Sequence, residues 1–556
     1  MLSIKKIYKS LLLLVLTVSM TMKLNAQEDT LGRNISTTIQ DVYTFKVGDA
    51  KKIDYNPQID PPKLNPPTLT YNIEGKEYKT KPEIVPSKPQ NYNNKDNERM
   101  YGNYTKIGYG MYNMPLFETY FHNTRSKNYD YGIRYHFLSG EYLKANQVFS
   151  DNEAKGHFTY NLNSLSKLNV HAAYERNRIN WYGYKPDSAT FDGDSIKNIY
   201  NNFSGGASYQ HKGKTKDDFS YSGGLDYYYM KDHYRNTENY FNIKGDVSKM
   251  VHQHILTVPL NITSTSFTSD TLYRRLFVDV NPRYLLDYGK LSLNVGFNST
   301  LFNDSLKGKL YWYPYADFKV KIIENKLNAH LGIDGGVTQN TYASLVKQNP
   351  FLDTVLQLQH SNTKVKVLGG IWGSINSHIA FGLDADFGNY LNMPFYLCDT
   401  TALHKYKVVY DNVDIFNVKA TVQLQWSGNF KTTAEFSYHN YQLGDQLYAW
   451  NMPAMDAKLN MQYNYDNKFS ARVTAYYIGE RFGKNIEFKD STKFSMNSPS
   501  VTLPAIIDAN LLLEYRYNKM ISVFVNGSNL TNQAYRRWLN YPGYKLSVLG
   551  GVAFTF

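Results

Sequence analysis

From Tyr101 to the C-terminus, apolar and polar side chains alternate through one segment after another. In MDAKLNMQYNY (455–465), apolar residues occupy every second position and the charged residues lie between them. The segments FSARVTAYY (469–477), IDANLLLEYRY (507–517) and LFVDVNPRYL (276–285) have the same period. Successive side chains of a strand point to opposite faces, so each segment predicts a strand with one apolar and one polar face. Pro282 interrupts one segment and predicts a bulge there.

Two kinds of connection separate these segments. Short polar turns such as NSLSK, DYGK and YDNK alternate with longer, more aromatic stretches such as NWYGYKPDSATFDGDSIKN. Bacterial outer-membrane barrels have short periplasmic turns, long extracellular loops and an even number of strands. We count about 22 segments, so the sequence predicts an all-β fold, a transmembrane antiparallel β-barrel over residues 101–556. A soluble propeller would show a repeat of about 40 residues, and none recurs.

Composition agrees with a protein wall that meets lipid on one face and water on the other. Aromatic residues make up 15% of the chain and charged residues 20%, while the mean hydropathy is −0.50. The formal net charge of +13 includes no run of five Lys or Arg residues. We therefore expect outer-membrane lipid as a partner and no nucleic acid.

The N-terminus has the order of parts of a secretory signal peptide. A lysine-containing start, MLSIKKIYK, precedes an apolar run from Leu11 to Met20, and the small residue Ala26 precedes Gln27. The run is shorter than the roughly 20 apolar residues that a membrane-spanning helix needs. Residues 1–26 are predicted to be a cleaved signal peptide, and a retained anchor is the alternative. Export together with the predicted barrel implies a Gram-negative outer-membrane location.

Residues 27–100 are rich in proline and differ from the rest of the chain. Stretches such as NPQIDPPKLNPP favour an extended polyproline II conformation. We predict a periplasmic leader that docks on a protein partner, and a poorly ordered leader remains the alternative. The residues assigned to docking are Pro61, Pro62, Pro66 and Pro67.

The chain ends on the alternating segment SVLGGVAFTF. Phe556, Phe554 and Val552 share one face, and an unpaired terminal strand would fray. We expect this strand to pair with the first strand of the barrel, which leaves the sheet with no free edge.

The last segment resembles the C-terminal signature of TonB-dependent receptors. The matching residues are Asn529, Leu530, Thr531, Tyr535 and Gly543, followed by the final strand. The resemblance implies that the terminal aromatic residue helps the outer-membrane assembly machinery to recognise the strand. It also implies nutrient uptake, and the leader is similar to those of such proteins from Bacteroidota. These receptors carry a folded plug domain inside the barrel, and residues 27–100 are too few and too proline-rich to form one.

Signs of catalysis or metal binding are absent from the sequence. It has no zinc-ligand spacing, no phosphate-binding glycine loop and no G-x-S-x-G element, so we predict neither an enzyme nor a cofactor. Cys398 is the only cysteine. Trp181, Tyr182 and Trp538 lie in long connections, where they are candidates for stacking on a ligand or anchoring a partner. Membership of the aromatic girdle at the membrane interface is the alternative.

Two functions remain open at this point. The family resemblance favours a receptor-like barrel for uptake, with a partner that supplies the plug. The missing plug and the proline-rich leader favour a non-transporting scaffold in a larger outer-membrane complex.

Overall fold

The computed structural model describes residues 102–556, apart from 124–125, 143–145, 184–191, 216–217, 305–307, 400–401, 403 and 485–499. The predicted signal peptide and leader, with Pro61, Pro62, Pro66 and Pro67, lie outside the described residues. The first strands are β1 (Tyr104–Gly110), β2 (Met114–His122), β3 (Tyr129–Tyr142), β4 (Gln147–Asn161), β5 (Ser166–Asn180), β6 (Lys197–His211), β7 (Ser220–Lys231), β8 (Thr237–Val251), β9 (His254–Thr268), β10 (Leu272–Val280), β11 (Arg283–Asp287), β12 (Leu291–Asp304), β13 (Gly308–Ile323) and β14 (Leu327–Thr338).

The helix α1 (Tyr342–Gln348) follows β14. The remaining strands are β15 (Ser361–Asn376), β16 (Ile379–Cys398), β17 (Tyr406–Ser427), β18 (Phe430–Leu443), β19 (Met455–Tyr465), β20 (Phe469–Ile478), β21 (Arg481–Lys484), β22 (Ser500–Leu503), β23 (Ile506–Arg516), β24 (Ile521–Ser528), β25 (Arg536–Trp538), β26 (Tyr541–Pro542) and β27 (Ser547–Thr555). No helix in the described part of the chain is long and apolar enough to cross a membrane.

These strands form a closed antiparallel barrel of 22 strands, which confirms the predicted fold. Neighbouring strands pair in sequence order, and β27 pairs with β1 from Tyr104↔Thr555 to Gly110↔Leu549. The hairpins β21–β22 and β25–β26 form two separate two-stranded sheets that do not pair with the strands of the ring. The predicted pairing of the last strand with the first is therefore present.

One position in the ring is shared by β10 and β11, which both pair with β9 and β12. The break falls at Asn281–Pro282, because proline has no N–H to donate to the sheet. The Arg283 guanidinium donates to the carbonyls of Pro282 (3.0 Å) and Phe297 (2.7 Å) beside the break. The irregularity predicted from Pro282 is confirmed.

The two faces of the wall differ as the alternation predicts. In β23 and the turn after it, Ile507, Tyr515 and Tyr517 are 60%, 52% and 72% exposed on the outer face, whereas the inward Asp508 is 1% exposed. On β27, Phe554 points outward and Leu549 is buried inside. The outer wall is thus apolar across the middle of the strands, as a lipid-facing surface requires.

The chain makes its connections at two ends of the barrel. The turn end holds the start of β1 and the end of β27, and it has short turns such as 252–253 and 377–378. The loop end holds the long connections 181–196, 339–360, 479–505 and 529–546. Not every connection at the loop end is long: three residues separate β1 from β2 and β9 from β10. The long connections start at separate places around the ring, so they can meet over the barrel mouth only by reaching across it.

The lipid-facing assignment can be tested within one strand, at neighbouring residues of β20. Val473 pairs with Leu511 on the outer face, whereas Thr474 donates a hydrogen bond to Asn460 on the inner face (3.0 Å). We expect Val473→Lys to lower the free energy of unfolding by about 2–3 kcal/mol, because it places a charge against hydrocarbon. Thr474→Lys is expected to lower it by less than about 1 kcal/mol. Denaturant titration of the folded barrel in phosphatidylcholine vesicles measures both, and equal losses would contradict the assignment.

Candidate functional site

Three of these long connections, 181–196, 339–360 and 529–546, meet neighbouring strand ends across the loop end and form a buried apolar cluster, which we call the mouth cluster. The Trp181 ring, directly after β5, contacts His404 of the β16–β17 connection, and these elements lie on nearly opposite sides of the ring. The chain therefore crosses the barrel mouth rather than extending away from it. The buried members are Tyr200, Met230, Phe267, Tyr342, Leu345, Val346, Leu352, Leu356, Leu358, Tyr396, Cys398, Tyr406, Trp538 and Tyr541.

Tyr541 lies where three of these connections meet, and only 2% of it is exposed. Its ring stacks on Phe351, with 3.6 Å between ring centroids, and meets Tyr182 edge to face at 5.0 Å. Its hydroxyl donates to the backbone carbonyl of His404. A side chain at Gly183 would overlap the Tyr541 ring, so glycine permits this close approach. Burial raises the pKa of Tyr541 well above its ordinary value.

Further hydrogen bonds tie the same connections to one another. The Tyr406 hydroxyl donates to the carbonyl of Leu539 (2.8 Å), and the Tyr200 hydroxyl donates to that of Pro350 (2.8 Å). These partners are more than a hundred residues apart in the sequence. Since buried polar groups must be paired, these bonds select a single arrangement of the loops.

The predicted C-terminal motif positions the last of these connections. Asn529 has a left-handed backbone (φ 51°) and its amide donates to the carbonyls of Gln533 (3.0 Å) and Tyr544 (2.9 Å). The Thr531 hydroxyl donates to the carbonyl of Ile507 (2.9 Å). Leu530 is 41% exposed, and its N–H donates to the carbonyl of Ala509 (3.0 Å). The motif thus turns the chain at the top of β24 and fastens it to β23.

The hairpin β25–β26 leaves this turn and carries Trp538 and Tyr541 into the mouth cluster. Its base is closed by a hydrogen bond from the N–H of Gly543 to the carbonyl of Tyr535 (2.9 Å). Arg481 of β21 is 2% exposed, and its guanidinium donates to the Arg537 carbonyl (2.9 Å). Burial, together with repulsion from Arg537, lowers the pKa of Arg481 to about 10, so it remains charged at neutral pH. The two small hairpins therefore support each other.

Helix α1 is held across the mouth by two buried carboxylates. Glu238 of β8 is fully buried and accepts hydrogen bonds from the backbone N–H groups of Tyr342 (2.8 Å) and Ala343 (2.9 Å). Asp232 accepts from the Tyr342 hydroxyl (2.8 Å). Negative charge at the first turn of a helix satisfies its free N–H groups and opposes the helix dipole. Burial raises the pKa of Asp232, against the effect of these hydrogen bonds.

Below the mouth, the inner wall carries many charged and polar side chains. Arg134 contacts Glu153 at 2.7 Å and Glu118 at 3.4 Å, and Lys155 contacts Glu175 at 3.2 Å. Similar pairs follow around the ring, among them Lys244–Asp226 (2.6 Å), Lys319–Asp317 (3.0 Å) and Lys366–Asp386 (3.5 Å). The lumen wall therefore suits water and polar solutes.

The structure places the predicted loop aromatics in or beside the mouth cluster. Trp181 is 1% exposed and stacks on Tyr234, with 5.0 Å between centroids. Trp538 is 9% exposed and meets Tyr396 at 5.4 Å, while Tyr182 packs against the cluster. Stacking of these rings on an external ligand, as the sequence suggests, would require the cluster to open.

The predicted assembly signal lies on the outer face at the turn end. Phe556 and Phe554 are 45% and 43% exposed, and Val552 pairs with Ile107 across the seam. Exposed aromatic residues at this end are accessible to another protein, and the recognition role stays a prediction. Among the described residues, no group of three or more His, Cys, Asp or Glu could hold a metal ion.

Acidification is expected to loosen the mouth cluster through His404. Burial, and then the charge of Lys405, lowers the pKa of His404, while Asp353 and Asp399 act in the opposite direction. The open state binds the proton more readily, so this stability is complete above the ordinary histidine pKa of about 6.5 and is lost as the pH falls below it. Maleimide labelling of Cys398, normalised to free cysteine at each pH, should rise several-fold between pH 7.5 and 5. A His404→Gln variant with the same pH dependence would contradict this.

No protein-family model matches the sequence, and no curated protein matches it. Solved structures do match. The FrpB iron transporter from Neisseria meningitidis has a TM-score of 0.64 at 9% identity, covering 83% of this chain and 82% of that one. The ferric-catecholate import receptor Fiu from E. coli K12 has a TM-score of 0.62 at 10% identity and 82% coverage of both chains. This chain has their barrel fold.

A third solved structure matches over a similar share of both chains. A mutant of the ferric enterobactin receptor PfeA from Pseudomonas aeruginosa has a TM-score of 0.60 at 11% identity, covering 82% of this chain and 80% of that one. The resemblance to TonB-dependent receptors that the C-terminal motif indicates is therefore matched at the level of the 22-strand barrel. The similarity concerns the barrel fold, and the description of the mouth cluster rests on the contacts within this chain alone.

Proposed function

We propose that this protein is an outer-membrane, receptor-like barrel that takes part in nutrient uptake and whose outer mouth is closed by its own loops. The loop end faces the outside and the turn end faces the periplasm, as the lengths of the connections indicate. The observation that carries the proposal is a lumen lined with ion pairs below a closed apolar mouth. Such an arrangement suits a passage that opens on demand rather than a permanent pore.

The fold neighbours support uptake as the class of function. Their names describe import receptors and a transporter for iron or ferric complexes, and this chain shares their barrel. TonB dependence, a plug supplied by a partner protein and a docking role for residues 27–100 are further parts of the proposal. They rest on the sequence resemblance and on the proline-rich composition of the leader.

Conductance tests the uptake proposal directly. The full chain is reconstituted in planar bilayers beside a variant without residues 27–100 and a variant that combines this deletion with Trp538→Ala and Tyr541→Ala. We expect little conductance from the full chain and from the deletion variant, and a large, stable conductance from the combined variant, because the loss of both rings opens the mouth cluster. A matched control replaces Tyr517, which is 72% exposed at the turn end. A combined variant that folds and never conducts would overturn the proposal.

A non-transporting scaffold is the second candidate, and the dense packing of the mouth cluster favours it. A scaffold needs a closed barrel, whereas a transporter must repeatedly open it. Native co-purification from outer membranes, with and without residues 27–100, separates the two. A stoichiometric partner that depends on the leader, together with no conductance in the experiment above, would establish the scaffold.

A further inference from the structure

Four basic side chains on the outer face of β5, β7 and β10 have no role in the proposed uptake. They are Arg176, Arg178, Lys231 and Arg274, which we call the basic strip. Each shares the outward face of its strand with an exposed apolar residue nearer the middle of the wall: Tyr174 (43%), Tyr227 (40%) and Leu276 (38%). The strip therefore lies directly beyond the apolar belt, on the loop-end side.

The pairing of the strands places Arg176, Arg178 and Lys231 close together, with Arg274 farther along the same rim. Arg176 pairs with Asn201, which pairs with Lys231, so the two charges lie in one row about 10 Å apart. Arg178 is the next outward residue on β5. Arg274 lies one row lower, where it pairs with Ser266 of β9. The result is a band of guanidinium, ammonium and amide donors along one part of the rim.

No strip residue forms an ion pair with a carboxylate in the described part of the chain, although Arg178 lies near enough to Asp194 for its charge to act on that carboxyl group. The basic residues of the inner wall differ in this respect, since Arg134, Lys155 and Lys244 each contact a carboxylate. None of the four strip residues makes such a contact, and the Arg178 Nε is buried without a hydrogen-bond partner among the described residues. Cations beside an apolar, lipid-facing wall are thus left for a ligand from outside the protein.

We propose that the basic strip binds the phosphorylated headgroup of an outer-leaflet lipid, whose acyl chains lie against the belt below. Guanidinium groups hold phosphate through paired hydrogen bonds, and lysine adds a point charge. A lipid phosphate lies just above its hydrocarbon chains, which is the height of the strip relative to Tyr174 and Phe203. The proposal depends on the outer-membrane placement given above and not on uptake.

Binding is tested with full-length protein in detergent micelles, with monophosphoryl lipid A as the probe and its dephosphorylated form as the comparison. The test variant replaces Arg176, Arg178, Lys231 and Arg274 by glutamine. The matched control replaces four exposed lysines at the turn end, Lys167, Lys290, Lys321 and Lys468, by glutamine. Native mass spectrometry gives the apparent affinity, and circular dichroism verifies that each variant is folded.

We expect wild type and the control variant to bind the phosphorylated probe at least about tenfold more tightly than the dephosphorylated one. The strip variant should lose this preference, and Arg176→Lys with Arg178→Lys should keep most of it because the charge is retained. Equal binding of the two probes by wild type, or an unchanged preference in the strip variant, would show a merely solvated rim and overturn the proposal. Displacement of the lipid by inorganic phosphate at equal concentration would overturn the assignment to a lipid headgroup.

Discussion

Replacement of Tyr541 by alanine is expected to raise the maleimide labelling rate of Cys398 by about 100-fold or more. Cys398 is 3% exposed and belongs to the same mouth cluster, so it reacts only when the cluster opens locally. The substitution removes the stacking on Phe351 and the contact with Tyr182. Loss of a buried aromatic ring costs about 3–5 kcal/mol, which lowers the free energy of opening by a similar amount.

Two controls make this result specific. Tyr541→Phe keeps the ring and loses only the hydrogen bond to the His404 carbonyl, so labelling should rise by about tenfold or less. Tyr517→Ala removes an exposed tyrosine at the other end of the barrel and should leave the rate unchanged. If Tyr541→Ala labels no faster than Tyr517→Ala, the connections of the mouth cluster do not close the mouth as described.

Replacement of Glu238 by alanine is expected to release helix α1 from the wall. The carboxylate accepts from the N–H groups of Tyr342 and Ala343 and from the Tyr228 hydroxyl (3.0 Å), so its loss leaves three buried donors without an acceptor. Hydrogen bonds to a charged group contribute about 1.5–3 kcal/mol each, and we expect the free energy of local opening to fall by about 4.5 kcal/mol, the lower end of the range for three bonds. The measurement is the rate of trypsin cleavage after Lys347, the basic residue in the last turn of the helix.

A graded series guards against a general loss of folding. Glu238→Gln keeps one acceptor oxygen and should accelerate cleavage by roughly a tenth of the alanine effect or less. Glu324→Gln changes an exposed glutamate at the turn end and should have no effect. Equal cleavage rates in wild type and Glu238→Ala, with intact barrels, would mean that Glu238 does not hold the helix.

The barrel could be predicted from the sequence because its signal is local. In β19, β20 and β23 each residue's face follows from its neighbours alone, as the contrast between Ile507 and Asp508 shows. The irregularity at Pro282 could be predicted for the same reason, because proline lacks the N–H that a regular strand would donate at that position. The pairing of β27 with β1 followed from the need of a membrane sheet to have no edge.

The mouth cluster could not be predicted in this way, because its contacts join residues that are far apart in the sequence. Nothing near Tyr541 reveals that Phe351 and Tyr182 are its neighbours. One signal was present: stretches such as NPFLDTV and RRWLNYPGY are more apolar than solvated loops usually are. Trp181, Tyr182 and Trp538 stand out in the sequence as loop aromatics that could stack on a ligand or anchor a partner, but sequence could not show that they pack against the chain itself.

The seam between β1 and β27 has a consequence for how the molecule is made. Gly108 is paired with Gly551, and a side chain at Gly551 would overlap the backbone carbonyl of Ile107, so the two strands touch through bare backbone. Gly108 and Gly551 are 443 positions apart in the sequence, nearly the whole length of the barrel segment. Until the ribosome has delivered the final residues, β1 has no partner on one edge, and export has to keep it from pairing with other chains. The ring can therefore close only after both strands have reached the membrane.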